Sequence, residues 1–370
     1  MINRLEKPIL EIIKGERKGW SAEIAKLLLT PLAWTYAVVS RCRNIAYDVG
    51  LKRQHHSKAI VVSIGNIVAG GTGKTPLTLM IGREMRNWGN LAVVSRGYRS
   101  KAEKMATPIF LSKGGKIFFS SETCGDEPCL LAKNLPGVSV IVGRDRVQAS
   151  LMAVESGAQM ILMDDGMQHR RLARDFEVVV LDARVPLGYG YFLPRGLLRD
   201  SPKSLSRADL IFINRIKDLQ RVDEIEGLVR PHSDAPIVAA KNVFVGAWYS
   251  NRVKVPSLKA VKVGLFCGIG QPRDFFETVK ETGAEIVHEH YFVDHEAPSI
   301  LELQQIADKS RESGAELILC TEKDWVKIQS TDELSLSLAW VQVSMEIVYG
   351  KESWEQFLVK IKDKVACSSL

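Results

Sequence analysis

The segment Gly65-Asn66-Ile67-Val68-Ala69-Gly70-Gly71-Thr72-Gly73-Lys74-Thr75-Pro76 carries the most specific chemistry in the 370-residue chain. It places glycines, a lysine and a hydroxyl between a β-branched apolar run, Ala59–Ile64, and a helical stretch from Thr75 to Trp88. Gly71 and Gly73 let backbone N–H groups curl around phosphate oxygens. A helix N-terminus adds its partial positive charge. Lys74 can reach the β- and γ-phosphates, and the Thr75 hydroxyl can ligate Mg²⁺. Gly70, Gly71, Thr72, Gly73, Lys74 and Thr75 are therefore expected to bind a nucleotide, ATP with Mg²⁺. Val68 stands where the G-x-x-x-x-G-K-[ST] pattern has its first glycine. The loop entrance must be shaped differently, with Gly70 a candidate substitute.

A second constellation is the apolar run Ile161-Leu162-Met163 ending in Asp164-Asp165. In a phosphate-loop enzyme such an aspartate holds Mg²⁺ directly or through water. Adjacent residues of an extended chain point to opposite sides, so either Asp164 or Asp165 can be the ligand. Gly125-Asp126-Glu127-Pro128 sets two carboxylates in a tight turn. A carboxylate there can accept a hydroxyl proton, and a plain turn role stays open beside it. Phe292-Val293-Asp294-His295 ends an apolar stretch with a pair able to orient or relay a proton. Arg144, Arg146, Arg170, Arg171, Arg195 and Arg199 are spread through loops. Some can contact phosphate, while on count alone most are solvated.

Those groups need a frame. Short apolar runs at Leu91–Ser95, Val138–Val142, Met160–Met163, Val178–Leu181 and Leu210–Ile213 follow the first, with room for crossovers between them. The pattern predicts an α/β fold with a parallel sheet covered by helices. The turn-rich run Arg230–Pro236 marks a boundary. Beyond it, Val263–Cys267, Glu285–His290, Glu316–Cys320 and Ala339–Val343 read as strands, and Asp274–Thr282 and Ile300–Ser313 as helices. They predict a smaller α/β unit. The expected divisions are 1–58, 59–230, 236–350 and a C-terminal helix in 351–370.

Composition narrows the partners. The formal net charge is +7, but residues 1–58 hold 11 Lys/Arg against 5 Asp/Glu, and the other 312 residues hold 39 against 38. A near-neutral body lacks the basic stripe that nucleic-acid binding needs. The basic front end flanks Leu27–Ser40, a charge-free run of 14 residues containing Trp34, Tyr36 and Pro31. A span needs about 20 residues, so the run suits the plane of an anionic bilayer interface or packing on the protein body. Glu6, Glu11 and Glu16 argue against a secretory signal. The six cysteines form no C-x-x-C pair and are expected to be free thiols.

In order along the chain, GNIVAGGTGKTP, VVSRGY, GDEP, VGRDR, MDDGMQHRR, LDA with GYGYFLPRGLLRD, FCGIGQP, FVDH and TEKDWVKI closely resemble the lipid A 4′-kinase (tetraacyldisaccharide 4′-kinase) family. Two positions depart from its usual pattern: Leu197-Leu198-Arg199-Asp200 replaces Pro-Leu-Arg-Glu, and Met167 replaces a Phe. Neither removes a reactive group. The resemblance implies a phosphate-loop (P-loop NTPase-type) domain joined by a two-stranded ribbon to a smaller α/β domain. Pro236–Trp248 and Ala339–Val343 would form the ribbon, and a helix near Ser353–Val365 would return to the first domain. It implies a peripheral enzyme on the cytoplasmic face of the bacterial inner membrane. That enzyme would transfer the γ-phosphate of ATP to the 4′-hydroxyl of an acylated glucosamine disaccharide 1-phosphate. It also implies that Asp126 and His295 work as a catalytic pair.

Two other classes remain on sequence grounds. A P-loop switch or assembly ATPase at the membrane surface would hydrolyse nucleotide without a lipid acceptor. Asn214-Arg215-Ile216-Lys217 lacks the spacing of a guanine-specific N-K-x-D motif. A non-catalytic membrane-binding module would show no Mg²⁺-dependent transfer.

Overall fold

Residues 10–292, 298–328 and 334–368 are described in a computed structural model of the chain. In chain order the elements begin with α1 (Trp20–Asp48), β1 (Ile60–Gly65), α2 (Lys74–Met85), β2 (Leu91–Ser95), β3 (Ile109–Lys113) and β4 (Lys116–Ile117). Next come α3 (Ser121–Cys124), α4 (Asp126–Asn134), β5 (Ser139–Val142), α5 (Arg146–Glu155), β6 (Met160–Asp164), β7 (Phe176–Asp182) and β8 (Leu210–Asn214). The remainder is α6 (Gln220–Val229), β9 (Ile237–Tyr249), β10 (Lys262–Cys267), α7 (Pro272–Lys280), β11 (Glu285–Tyr291), α8 (Ile300–Glu312), β12 (Leu317–Thr321), α9 (Glu322–Trp325), β13 (Leu338–Tyr349) and α10 (Lys351–Ser368).

Two compact units emerge, and they do not follow chain order. One takes residues 10–93, 146–241 and 347–368; the other takes 94–145 and 242–346. Linear boundaries drawn from composition put 94–145 with the loop-bearing domain; compactness groups it with the later segment. Long-range packing, invisible in local texture, makes that difference.

In the first unit the strand order is β9-β8-β7-β1-β6-β2. The pairs β8–β9, β7–β8, β1–β7 and β1–β6 are parallel. All residues of β1, β2, β6 and β8 are buried. Continuous apolar runs are what strands covered on both faces require. Ile64 pairs with Asp164, so the acidic strand end lies level with the start of the glycine loop. The C-terminal helix α10 packs here, with Trp354 edge-on to Phe212 and Phe357 edge-on to Phe176.

The helix α1 also belongs to this unit, and it is longer than the 14-residue apolar run that predicted it. It covers 29 residues, about 43 Å at 1.5 Å per residue, and is long and apolar enough to cross a membrane. The charges beyond the apolar run do not stop it: Lys26 pairs with Glu23 at 2.8 Å within the helix. Its buried residues are the small Ala22, Ala33 and Ser40. Leu27, Leu28, Leu32, Trp34, Val38 and Val39 are exposed. Polar tethers hold it: Asn44 donates to Asp200 (2.7 Å), Arg170 to Asp48 (2.8 Å), and Arg195 to the Thr30 hydroxyl (2.9 Å).

In the second unit β11, β10, β12 and β13 form parallel pairs in that order, with a core that includes Leu265, Phe275, Val279, Leu319 and Val341. The segment from 94–145 adds β3, which is antiparallel to both β5 and the short β4. This hairpin escaped the sequence reading, although Gly114-Gly115 between two β-rich runs is a hairpin signal. Both glycines take positive φ. The long strands β9 and β13 are sheet neighbours and carry the chain from one unit to the other. The second of them reaches Tyr349, well past the expected Val343. All six cysteines are free.

Candidate active site

The glycine loop leaves the C-terminal end of β1 with an anchored entrance. Ile67 and Val68 are buried. Val68 forms an antiparallel bridge with Leu198. Ala69 N–H donates to Leu197 O (2.7 Å), and Arg199 N–H donates to Ile67 O (2.8 Å). A strand-like partner thus occupies the place where the common pattern uses a glycine. The backbone freedom is supplied further on, by Gly70 (φ 107°) and Gly73 (φ 95°), conformations that favour glycine. Gly71, expected to share that role, does not take a positive φ, though a side chain there would meet open space.

The loop is braced by Asn66, Asn214 and Arg215, to which the sequence assigned no such role. Asn66 Nδ2 donates to the Thr72 hydroxyl (2.9 Å). Asn214, the last residue of β8, donates to Thr72 O (3.1 Å), and Arg215 donates to Gly71 O (2.8 Å). The one available hint was a polar residue closing an apolar strand. From Lys74 the chain enters α2, which has no acidic residue in its first turn. An anion is favoured at such a terminus. Thr75 is buried in that turn.

The two aspartates part company at the strand end. Asp164 is the last residue of β6, buried, with Thr78 of α2 donating to it at 3.3 Å. Asp165 takes a left-handed conformation (φ 50°). It lies 3.5 Å from Lys74 Nζ and accepts two hydrogen bonds from Arg199, at 2.7 and 3.1 Å. Arg199 also donates to Asn66. Arg199, one of six loop arginines of which only some were expected to meet phosphate, is therefore central to the loop.

Burial by itself would raise the Asp165 pKa, but Lys74 and Arg199 together outweigh it and hold the carboxyl well below the usual range. The folded-state group is the stronger acid, so falling pH protonates the unfolded chain first. The stabilisation is full above the unfolded carboxyl pKa of about 3.9 and disappears once pH falls through the lower folded value. Urea midpoints should check this: the gap between wild type and Asp165→Asn is expected to be wide at pH 7 and to narrow below pH 4.

Thr75, Asp164 and Asp165 offer a hydroxyl and two carboxylates, a hard-oxygen set that fits Mg²⁺. Among the described residues no group of three or more His, Cys, Asp and Glu forms a complete metal cage. Phosphate and water oxygens would complete such a site, which is how nucleotide-bound Mg²⁺ is usually held.

In the second unit, Asp126 opens α4 and is buried. Its Oδ1 accepts from Glu127 N–H (3.0 Å), and its Oδ2 lies 3.4 Å from Lys323 Nζ. Lys323 is on α9, in the TEKD segment, and also lies 3.7 Å from Glu127. His295, the expected partner of Asp126, lies outside the described residues.

The arrangement brings the glycine loop, a lysine and an acidic strand end together in one unit, and a buried carboxylate with a lysine in the other. Residues 25–362 match the profile of the tetraacyldisaccharide-1-P 4′-kinase family. The chain belongs to this family. Among its relatives, the tetraacyldisaccharide 4′-kinase of Pelobacter propionicus is 35% identical over 323 residues, covering 86% of this chain and 87% of that one. The enzyme of the same name from Syntrophus aciditrophicus is 34% identical, covering 91% and 93%. A crystal structure of LpxK from Aquifex aeolicus in complex with ATP is similar at a TM-score of 0.71 and 27% identity, over 90% of this chain and 97% of that one. The family match takes in the glycine loop, the acid pair, the Asp126 turn and most of α1.

Proposed function

We propose that the chain transfers the γ-phosphate of ATP to the 4′-hydroxyl of tetraacyldisaccharide 1-phosphate, a step of lipid A biosynthesis. The observation that carries this reading is the family match across residues 25–362. The loop and its braces are what such a kinase needs. Phosphoryl transfer depends mainly on positioning and on balancing charge at the phosphates.

The loop from Gly70 to Thr75 would cradle the phosphates, and Lys74 would turn from Asp165 to the β- and γ-phosphate oxygens. Arg199 then keeps Asp165 ionised and in place. Thr75 and the Asp164/Asp165 pair are the residues that would hold Mg²⁺, which supplies positive charge at the phosphate oxygens. Asp126 would receive or orient the proton of the acceptor hydroxyl, with His295 as its helper. Purified protein incubated with Mg²⁺, labelled ATP and the disaccharide 1-phosphate lipid in detergent tests the reading. Label on the sugar supports it, and free phosphate alone would point to a nucleotide switch.

The acceptor is an acylated lipid, and α1 suits a peripheral contact with an anionic membrane such as the cytoplasmic face of the inner membrane. Its small residues face the protein and its Leu, Val and Trp side chains face out. Moving one such side chain out of water contributes about 1.5–3 kcal/mol. Leu28→Ser with Trp34→Ser is therefore expected to lower co-sedimentation with phosphatidylglycerol-containing vesicles tenfold or more. Added salt should weaken binding of the wild type further. Unchanged co-sedimentation of the double variant would rule α1 out as the contact.

A further inference from the structure

We infer that Lys323 positions Asp126 for catalysis and holds it ionised, so that the TEKD segment is part of the proton-accepting apparatus. The inference rests on the reading of Asp126 as the group that receives the acceptor proton.

The short helix that carries Lys323 is held unusually firmly for its length. The Thr321 side chain caps it, accepting from Asp324 N–H (3.1 Å) and donating to Asp324 Oδ2 (2.7 Å). Asp324 is buried, accepts from Gly268 N–H at the end of β10 (3.0 Å), and pairs with the buried Lys327 (2.8 Å). The neighbouring Glu322 accepts from Asn134 at the far end of α4 (2.7 Å), and Ser121 donates to Val326 O (3.3 Å). Polar tethers from the far end of α4, from the start of α3 and from the end of β10 thus dock α9 against the helix that Asp126 begins. Lys323 projects from this docked turn to within 3.4 Å of the Asp126 carboxylate, with both side chains largely shielded from water. A surface pair would be screened and worth little; a shielded pair is not.

Among the described ion pairs, Lys323 is the cation that stands 3.4 Å from the Asp126 carboxylate. Glu127 and Cys129 share its helix, Lys133 lies two turns on, Cys124 ends the preceding turn, and Glu122 in that turn pairs with Lys101. Burial pushes the Cys124 thiol up to about 11 and the Cys129 thiol up to about 12, so both stay neutral over the working range. Glu127 is a like charge and favours the protonated form of Asp126. Lys323 opposes that effect and favours the carboxylate able to take a proton.

The test is the pH dependence of kcat/KM in three variants. Lys323→Met is expected to move the acid limb up by about one pH unit and to lower kcat roughly tenfold or more through loss of orientation, with KM for ATP unchanged. Lys323→Arg keeps the cation and should return the acid limb to its wild-type position. Asp126→Asn separates the two readings. If Asp126→Asn turns over at the wild-type rate, the base assignment fails and the role of Lys323 fails with it. If Asp126→Asn is impaired while the acid limb of Lys323→Met stays in place, the role of Lys323 alone is overturned, whatever happens to kcat. Thermal unfolding of Lys323→Met guards against a folding defect, and a large loss of stability with an unmoved acid limb would mark the pair as structural.

Discussion

Lys74→Ala is expected to lower kcat/KM for phosphate transfer about 10²–10³-fold, the usual cost of removing one preorganised group that stabilises transition-state charge. Three features make the effect large. Lys74 starts the helix that follows the loop, where amide dipoles already favour anions. Its ammonium is mostly shielded, so its charge is weakly screened by solvent. Its present partner, Asp165, has a second cation in Arg199, so releasing Lys74 to phosphate does not strand a carboxylate. For the same reason the variant should fold: alanine is a good helix former, and Asp165 keeps its two hydrogen bonds from Arg199. Lys74→Arg should not restore activity, because a planar guanidinium cannot reproduce a compact ammonium inside a tight loop. The measurement is labelled transfer to the lipid acceptor together with ATP affinity by calorimetry. Wild-type turnover by Lys74→Ala would remove the loop from the mechanism.

Asp126→Ala is expected to lower kcat about 10²–10⁴-fold, as loss of a general base does, while ATP affinity stays near wild type. The split between the two measurements is the point. Contacts of the glycine loop with Asn66, Asn214, Arg215 and Arg199 all lie within the first unit. Truncating Asp126 in the second unit leaves them intact. Lys323 retains Glu127 nearby, so the change does not strand a charge. Single-turnover kinetics with preformed ATP complex would expose the lost chemical step directly. Equal losses in ATP affinity and kcat would assign Asp126 to nucleotide binding. Normal turnover would dismiss it from the chemistry.

Much of the frame for these experiments was legible from residue order. β1, β2, β6, β7 and β8 were visible as short apolar runs, because strands buried on both faces need continuous apolar sequence. The loop was visible because cradling phosphate demands glycine, lysine and hydroxyl at fixed spacing. The acid pair was visible because it follows directly on a strand. The hairpin of β3 and β4 was missed: its strands are short and one lies largely exposed, so it lacks the apolar run that marks a buried strand. The helix α1 was found at half its length, since hydropathy marks apolar residues while a helix continues through the charged ones that flank them.

What residue order by itself determined is local: a nucleotide loop, an acidic strand end, a carboxylate turn, an apolar helix with a basic flank, and the family they belong to. The tertiary structure decided which distant groups serve each of these. Arg199 reaches Asp165 across 34 positions, Asn214 reaches Thr72 across 142, and Asn134 reaches Glu322 across 188. It decided that Asp164 turns to Thr78 while Asp165 turns to Lys74, a choice made by the left-handed backbone at Asp165. It also placed Lys323 beside Asp126. Spacing encodes what one stretch of backbone can do alone, whereas a partner is chosen by sheet order and helix docking, which no local pattern records.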